Sequence, residues 1–187
     1  MIGLVLAGGA SSRMGTDKGL IQDITGNLWA KKAFQLLEQV NLTSYISINL
    51  KQKDSYLAYF NMAELLVDNS SLSIQGPLKG IISAHQQQPD EDLFVLASDM
   101  PNLTKKQISC LLDFQSDRSE YEIWIYQNQT RPEPLCAIYS ARVLKQIVLN
   151  PPTKFGLLPI INQYKTAYLK ISPDEIACFV NVNYPND

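Results

Sequence analysis

Histidine is almost missing from this 187-residue chain: His85 is the only one. A zinc site built on several imidazoles is therefore excluded, and nothing suggests a Ser–His–Asp triad. His85 falls one turn beyond Ile81 and Ile82, which favours a structural or surface role. Cysteine is scarce too. Cys110, Cys136 and Cys178 are far apart, odd in number and show no CxxC spacing, so buried free thiols in a reducing cytoplasm are expected. No apolar run approaches the roughly 18 residues of a membrane span. The first residues enter Ile2-Gly3-Leu4-Val5-Leu6 without the charged leader of a signal peptide, and a cytoplasmic location is expected. The net charge of −2 argues against general binding to nucleic acid or an acidic membrane. Repeats, low-complexity tracts and Gly/Ser-rich linkers are absent. The length suits one core, and a single domain over residues 1–187 is expected. Neither common phosphate fingerprint occurs: there is no GxGxxG and no GxxxxGK followed by Ser or Thr.

What is present is another kind of glycine-rich turn. Residues 4–18 read LVLAGGASSRMGTDK. The short apolar run before it predicts a buried strand that breaks at Gly8-Gly9. Arg13, Gly15, Asp17 and Lys18 follow. Glycines let backbone N–H groups approach phosphate oxygens, and Arg and Lys supply neutralising charge, so the segment suits polyphosphate binding.

Strand and helix patterns then alternate. Asn27 is placed to cap a helix carrying Trp29, Ala33, Leu36, Leu37 and Val40. Residues 45–50 and 64–68 read as strands. Pro77 suits the first turn of a helix through Ile81, Ile82 and His85. Residues 93–97 are wholly apolar, as in a strand buried on both faces. Thr104 with Gln107 forms a capping box ahead of Ile108, Leu111 and Leu112. Strands are expected at 122–126 and 135–139 around a polar loop at 127–131. Helices follow at 141–149 and, more weakly because of Pro159, at 157–164. The last strands are expected at 167–171 and 177–180. Trp124 and Tyr126, at same-face spacing, read as core. The pattern implies an α/β three-layer sandwich, a mostly parallel sheet with helices on both faces. Ligands in such folds bind at the carboxyl ends of strands.

Several polar positions fall at such ends. Asp99 follows the apolar strand and precedes Met100-Pro101. A carboxylate there suits Mg²⁺, which takes a few carboxylate oxygens plus phosphates and water; a helix N-cap or a turn would use aspartate equally well. Gly76-Pro77-Leu78-Lys79-Gly80 is a turn entering a helix, with free N–H groups that could face a ligand or simply start the helix. Asn49 and Asp68 end two earlier strands. Glu133 lies in Arg131-Pro132-Glu133-Pro134-Leu135 and could hold substrate or cap the turn. Asn181 and Asn183, two apart on the expected last strand, would share a face.

These segments together resemble one family. LAGGxSxRMGxDK opens nucleotidyltransferase chains, and Leu6, Ala7, Gly8, Gly9, Ser11, Arg13, Met14, Gly15, Asp17 and Lys18 fill every fixed position. The chain is similar in particular to the molybdenum cofactor guanylyltransferases. Residues 76–80 resemble their GPLAG segment, with Lys79 in place of Ala. Residues 99–101 resemble their metal-holding Asp-Met-Pro, residues 131–135 their RPEPL, and residues 179–185 their FxNVNTPE. The last match departs at Tyr184, where Thr is usual, and the sequence stops where relatives continue into a final helix. The resemblance implies a Rossmann-like nucleotidyltransferase fold. It implies GTP held by Leu6, Ala7, Gly8, Gly9, Lys18, Asn49, Asp68, Gly76 and Asp99, with Asn49 and Asp68 on the guanosine. Arg13, Lys18 and Asp99 would be catalytic and Asp99 would hold Mg²⁺. Glu133, Asn181 and Asn183 would face the pterin. The reaction implied is transfer of GMP from GTP to the terminal phosphate of molybdenum-loaded molybdopterin, with transient contact to cofactor-delivery and molybdoenzyme acceptor proteins. A relative using CTP or a sugar phosphate, or a catalytically silent nucleotide-binding module, are the other readings.

Overall fold

Ile2–Leu6 is apolar apart from Gly3 and buried throughout, and it forms β1, an interior strand of a seven-stranded sheet. The computed structural model describes residues 1–7, 17–129 and 131–182. β2 (Ser44–Ile48), β3 (Leu65–Val67), β4 (Leu93–Ala97), β5 (Ile123–Asn128), β6 (Arg131–Tyr139) and β7 (Thr166–Lys170) complete the sheet, in the order β3-β2-β1-β4-β6-β5-β7. β1 lies parallel to both β2 and β4, β2 to β3, and β5 to β7. Only β6 runs against its neighbours. The expected mostly parallel sheet is therefore present, with one reversed strand made by a tight hairpin. The polar loop expected at 127–131 shrinks, because β5 runs on to Asn128 and β6 starts at Arg131. Gln129 takes a left-handed backbone, φ 51°, which turns the chain in little space.

Helices cover both faces. α1 (Trp29–Glu38) and α4 (Lys105–Ser116) pack Ala33, Phe34, Leu37, Ile108 and Leu111 against Val5, Ile46, Phe94 and Leu96. On the other face α3 (Pro77–Gln87), α5 (Ala141–Leu149) and α6 (Leu157–Ile161) pack Leu78, Ile81, Leu144 and Ile160 against Leu4, Leu66, Leu93 and Val95. A short α2 (Lys53–Leu57) follows β2. Alternate β-strand side chains point to opposite faces, so Leu4 and Val5 belong to different layers. Trp124 and Tyr126 are core, as expected; their polar atoms donate to the carbonyls of Arg118 (3.0 Å) and Gln107 (2.8 Å). Among the described residues, no helix is long and apolar enough to cross a membrane.

Three local expectations fail. α1 is entered from Leu28, with no side-chain cap. Asn27 instead serves the preceding turn, where its N–H donates to Asp23 Oδ1 (3.1 Å). Val40 lies beyond the helix, which ends at Glu38; Asn41, at φ 62°, reverses the chain just after it. Residues 177–180 are not a strand: Pro173–Phe179 is a 3₁₀ helix. Pro173 pre-sets its first turn, and tertiary bonds fix the rest. Glu175 accepts from Ser172 Oγ (2.6 Å), Gln107 Nε2 (2.8 Å) and Lys106 Nζ (3.0 Å). Phe179 packs on Tyr126, ring centres 4.7 Å apart. A four-residue apolar run was too short to outweigh these contacts.

The bonds from Ser172, Lys106 and Gln107 pull the Glu175 carboxyl down to about 2, from a usual 4.5. A depressed carboxylate stabilises the fold above its unfolded pKa and loses that contribution as pH falls toward the folded one. Thermal stability should therefore fall between pH about 4.5 and about 2, and Glu175→Gln should flatten part of that fall. Parallel melting-versus-pH curves for the two proteins would refute this.

Candidate functional site

β1 has a parallel neighbour on each side, and the chain leaves it toward β2 before returning to β4 on the other flank. The carboxyl ends of β1 and β4 thus meet at the switch point of the sheet, where open α/β folds bind ligands. Leu6 is the last residue of β1, and its carbonyl accepts from Ser98 N (3.2 Å). Ala7 N–H donates to Ser47 O (3.1 Å). Gly8, Gly9 and Arg13 lie outside the described residues. Beyond them Asp17 opens a 3₁₀ turn, Lys18–Leu20. Lys18 Nζ lies 3.0 Å from Asp99 Oδ2, with 27% and 21% of the two side chains exposed. The fold has brought together two charged residues 81 positions apart. At this exposure the pair adds little stability. Its value is chemical: a cation and an anion side by side, both reachable from solvent.

Beneath Lys18 lies a polar network that the sequence reading missed. Asp17 Oδ1 accepts from Gly19 N–H (3.0 Å) and Tyr56 O–H (2.9 Å). Asp17 Oδ2 accepts from Gln52 Nε2 at 2.5 Å, and the same amide donates to Ala7 O (3.1 Å). Gln52 Oε1 in turn accepts from Asn49 N (2.8 Å) and Asn49 Nδ2 (2.6 Å). Tyr56 is fully buried, and burial plus the Asp17 carboxylate holds its hydroxyl strongly protonated. The Asn49-x-x-Gln52 spacing is a capping-box pattern, a signal that could have found Gln52. Nothing local marks Tyr56. Asn49 sits at the end of β2, but its side chain works within this cap, where Oδ1 also accepts from Lys51 N (3.0 Å).

Asp68 follows β3 and is half-buried. Ser47 Oγ donates to it (2.9 Å). Burial raises its carboxyl pKa, opposed by Ser47 and by the nearby Lys79 ammonium. Gly76 precedes α3 at φ 66°, ψ −158°, a region essentially reserved for glycine. A Cβ on Gly80 would lie 2.4 Å from Ser47 Oγ and 3.0 Å from Leu6 Cδ2. The two glycines of residues 76–80 thus do separate jobs. One makes the turn, and the other lets α3 lie against β1 and β2 beside Asp68.

Glu133 lies on β6, half-buried, and burial raises its carboxyl pKa against the pull of Arg131. Asn181 follows the 3₁₀ helix and is not on a strand, and Asn183, its partner on the expected shared face, lies outside the described residues. Val182 N–H donates to Asp99 O (2.9 Å), which places this tail beside the end of β4. Cys136 is buried, Cys178 partly so and Cys110 exposed, and all three are free; burial of the thiols holds fully for Cys136 alone. His85 is buried, with its pKa lowered chiefly by burial, and Nδ1 has no partner among the described residues. This fits the structural role.

Among the described residues, no group of three or more His, Cys, Asp or Glu could hold a metal. A single carboxylate, Asp99, still fits Mg²⁺, which binds through one or two carboxylates plus substrate phosphates and water. A site needing a full protein cage does not fit.

Residues 3–165 match the family model described as MobA-like NTP transferase domain. Among solved structures, the chain is similar to molybdopterin-guanine dinucleotide biosynthesis protein A from Archaeoglobus fulgidus: 21% identity, TM-score 0.76, over 100% of this chain and 94% of that one. It is similar to CMP:2-keto-3-deoxy-manno-octonic acid synthetase, solved with CTP, at 11% identity and TM-score 0.67, over 99% and 93% of the two chains. A Mycobacterium tuberculosis H37Rv protein solved with manganese matches at 13% identity and TM-score 0.64, over 91% and 87%. At these identities the likeness establishes the fold.

Proposed function

The chain belongs to the MobA-like NTP transferase family, and on that premise we propose that it transfers GMP from GTP to the terminal phosphate of molybdopterin, releasing pyrophosphate. The observation that carries the proposal is the Lys18–Asp99 pair, 3.0 Å apart at the end of a glycine-rich segment and at the switch point of the sheet. The acceptor is a phosphate monoester, already mostly dianionic near neutral pH because its second pKa is about 6. It needs no general base, which suits a chain with one buried histidine. What it needs is in-line placement and charge neutralisation.

Lys18, with Arg13 from the preceding segment, stabilises charge on the α-phosphate and the departing pyrophosphate. Leu6, Ala7, Gly8 and Gly9 bring backbone close to the phosphates, and Gly76 turns the chain at the entry to α3 toward the nucleotide. Asp99 would hold Mg²⁺, which would supply positive charge to neutralise the phosphates. Asp68 and Asn49 sit at the ends of β3 and β2, on the side expected to take the guanosine. A carboxylate accepts from both N1–H and the 2-amino group of guanine. Glu133, Asn181 and Asn183 are assigned to binding the acceptor.

The test is to mix the protein with GTP, Mg²⁺ and the pterin and to follow pyrophosphate. Release is expected with GTP and not with CTP, ATP or UTP, because a site built to hydrogen-bond guanine leaves polar groups unpaired with other bases. Comparable turnover with CTP would move the protein to the cytidylyl branch of the family's chemistry.

A further inference from the structure

Gln52 touches both ends of the glycine-rich segment. Its Nε2 donates to Ala7 O, the residue before Gly8, and to Asp17 Oδ2, the residue before Lys18. Its Oε1 accepts twice from Asn49, so both amide hydrogens and both oxygen lone pairs are used. The amide therefore has one orientation. On the other oxygen of Asp17, the hydroxyl of the buried Tyr56 donates at 2.9 Å. The fit around that hydroxyl is close: a Cβ on Gly19 would stand 2.1 Å from it. Tyr56 itself is held by stacking on Phe60, ring centres 5.8 Å apart.

We infer that Gln52 and Tyr56 form a clasp that fixes the separation of residues 7 and 17 and so sets where Lys18 meets the triphosphate. Neither side chain need touch substrate. They are positioning residues, acting through Asp17. An isolated Asp17 would have several rotamers; with three donors on its carboxylate it has one, and the Lys18–Leu20 turn starts from a fixed point. A displacement of about 1 Å at such a group can cost on the order of 100-fold in rate. The inference rests on the triphosphate reading of this segment but not on the identity of the base or the acceptor.

The experiment uses the whole chain with Gln52→Met, which keeps volume and removes the bonds, and Tyr56→Phe, which removes only the hydroxyl. Two readouts are taken beside melting temperature: affinity for inorganic tripolyphosphate by calorimetry, and kcat and KM for pyrophosphate release with GTP. Each variant should bind tripolyphosphate about tenfold more weakly and lose kcat by about tenfold or more, while remaining fully folded at the assay temperature. Adding Asp17→Asn to Gln52→Met should cost little beyond the larger single loss, because both cut one link. Wild-type tripolyphosphate affinity and kcat in both single variants would overturn the clasp. So would losses that vanish once the unfolded fraction is corrected for. A wild-type protein that binds tripolyphosphate yet releases no pyrophosphate from GTP would reject the guanylyl-transfer reading, and the tripolyphosphate arm would then decide the clasp alone.

Discussion

Lys18→Ala is expected to lower kcat by about 100-fold or more, the usual size for losing one well-placed electrostatic group. The ammonium sits 3.0 Å from Asp99, held from below by the Asp17 turn, so its position is set before substrate arrives. Lys18→Arg should restore only part of the rate. A planar guanidinium presents its charge as a fork, not as a compact point. The melting temperature of Lys18→Ala should stay near that of the wild type, since a partly exposed pair contributes little to stability. Steady-state kinetics decide the matter. If kcat is unchanged and only KM rises, the lysine aids ground-state binding and the assigned role is wrong.

Asp99→Asn is expected to abolish measurable turnover while the fold survives. The Val182 N–H to Asp99 carbonyl bond that ties the tail to this position uses the backbone, and asparagine keeps it. What goes is the carboxylate charge that faces Lys18 and that, in the proposed mechanism, would hold the divalent ion. An amide oxygen is a much weaker partner for Mg²⁺ than a carboxylate. Titration with Mn²⁺, followed by its paramagnetic signal in the presence of GTP, should show the loss directly and without relying on catalysis. A variant that binds Mn²⁺ normally, or turns over at low Mg²⁺, would place the ion on other ligands.

The element pattern was largely legible in the chain because burial imposes it locally. The strand of residues 93–97 and the helix of residues 141–149 appear where apolar spacing placed them. Pro77 begins α3, and the Thr104–Gln107 pattern begins α4 with Thr104 N–H donating to Gln107 Oε1 at 3.1 Å. Boundaries failed where local signals compete. Asn27 had two available tasks, and the Asp23 turn took it. Residues 177–180 form an apolar run too short to resist Pro173 and the Glu175 bonds.

For the site, the sequence alone supplied the candidate residues. A short motif fixes which residue types stand next to one another, so Asp17, Lys18, Asp68, Gly76 and Asp99 could be named, and the family with them. Only the tertiary structure decided which of them meet. The Lys18–Asp99 pair spans 81 positions, and the approach of Gln52 to Ala7 and Asp17 spans 45 and 35. Those distances close because parallel strands place their carboxyl ends at one edge of the sheet. The strand order is set by long-range packing of two faces at once, and no local window of sequence contains that information.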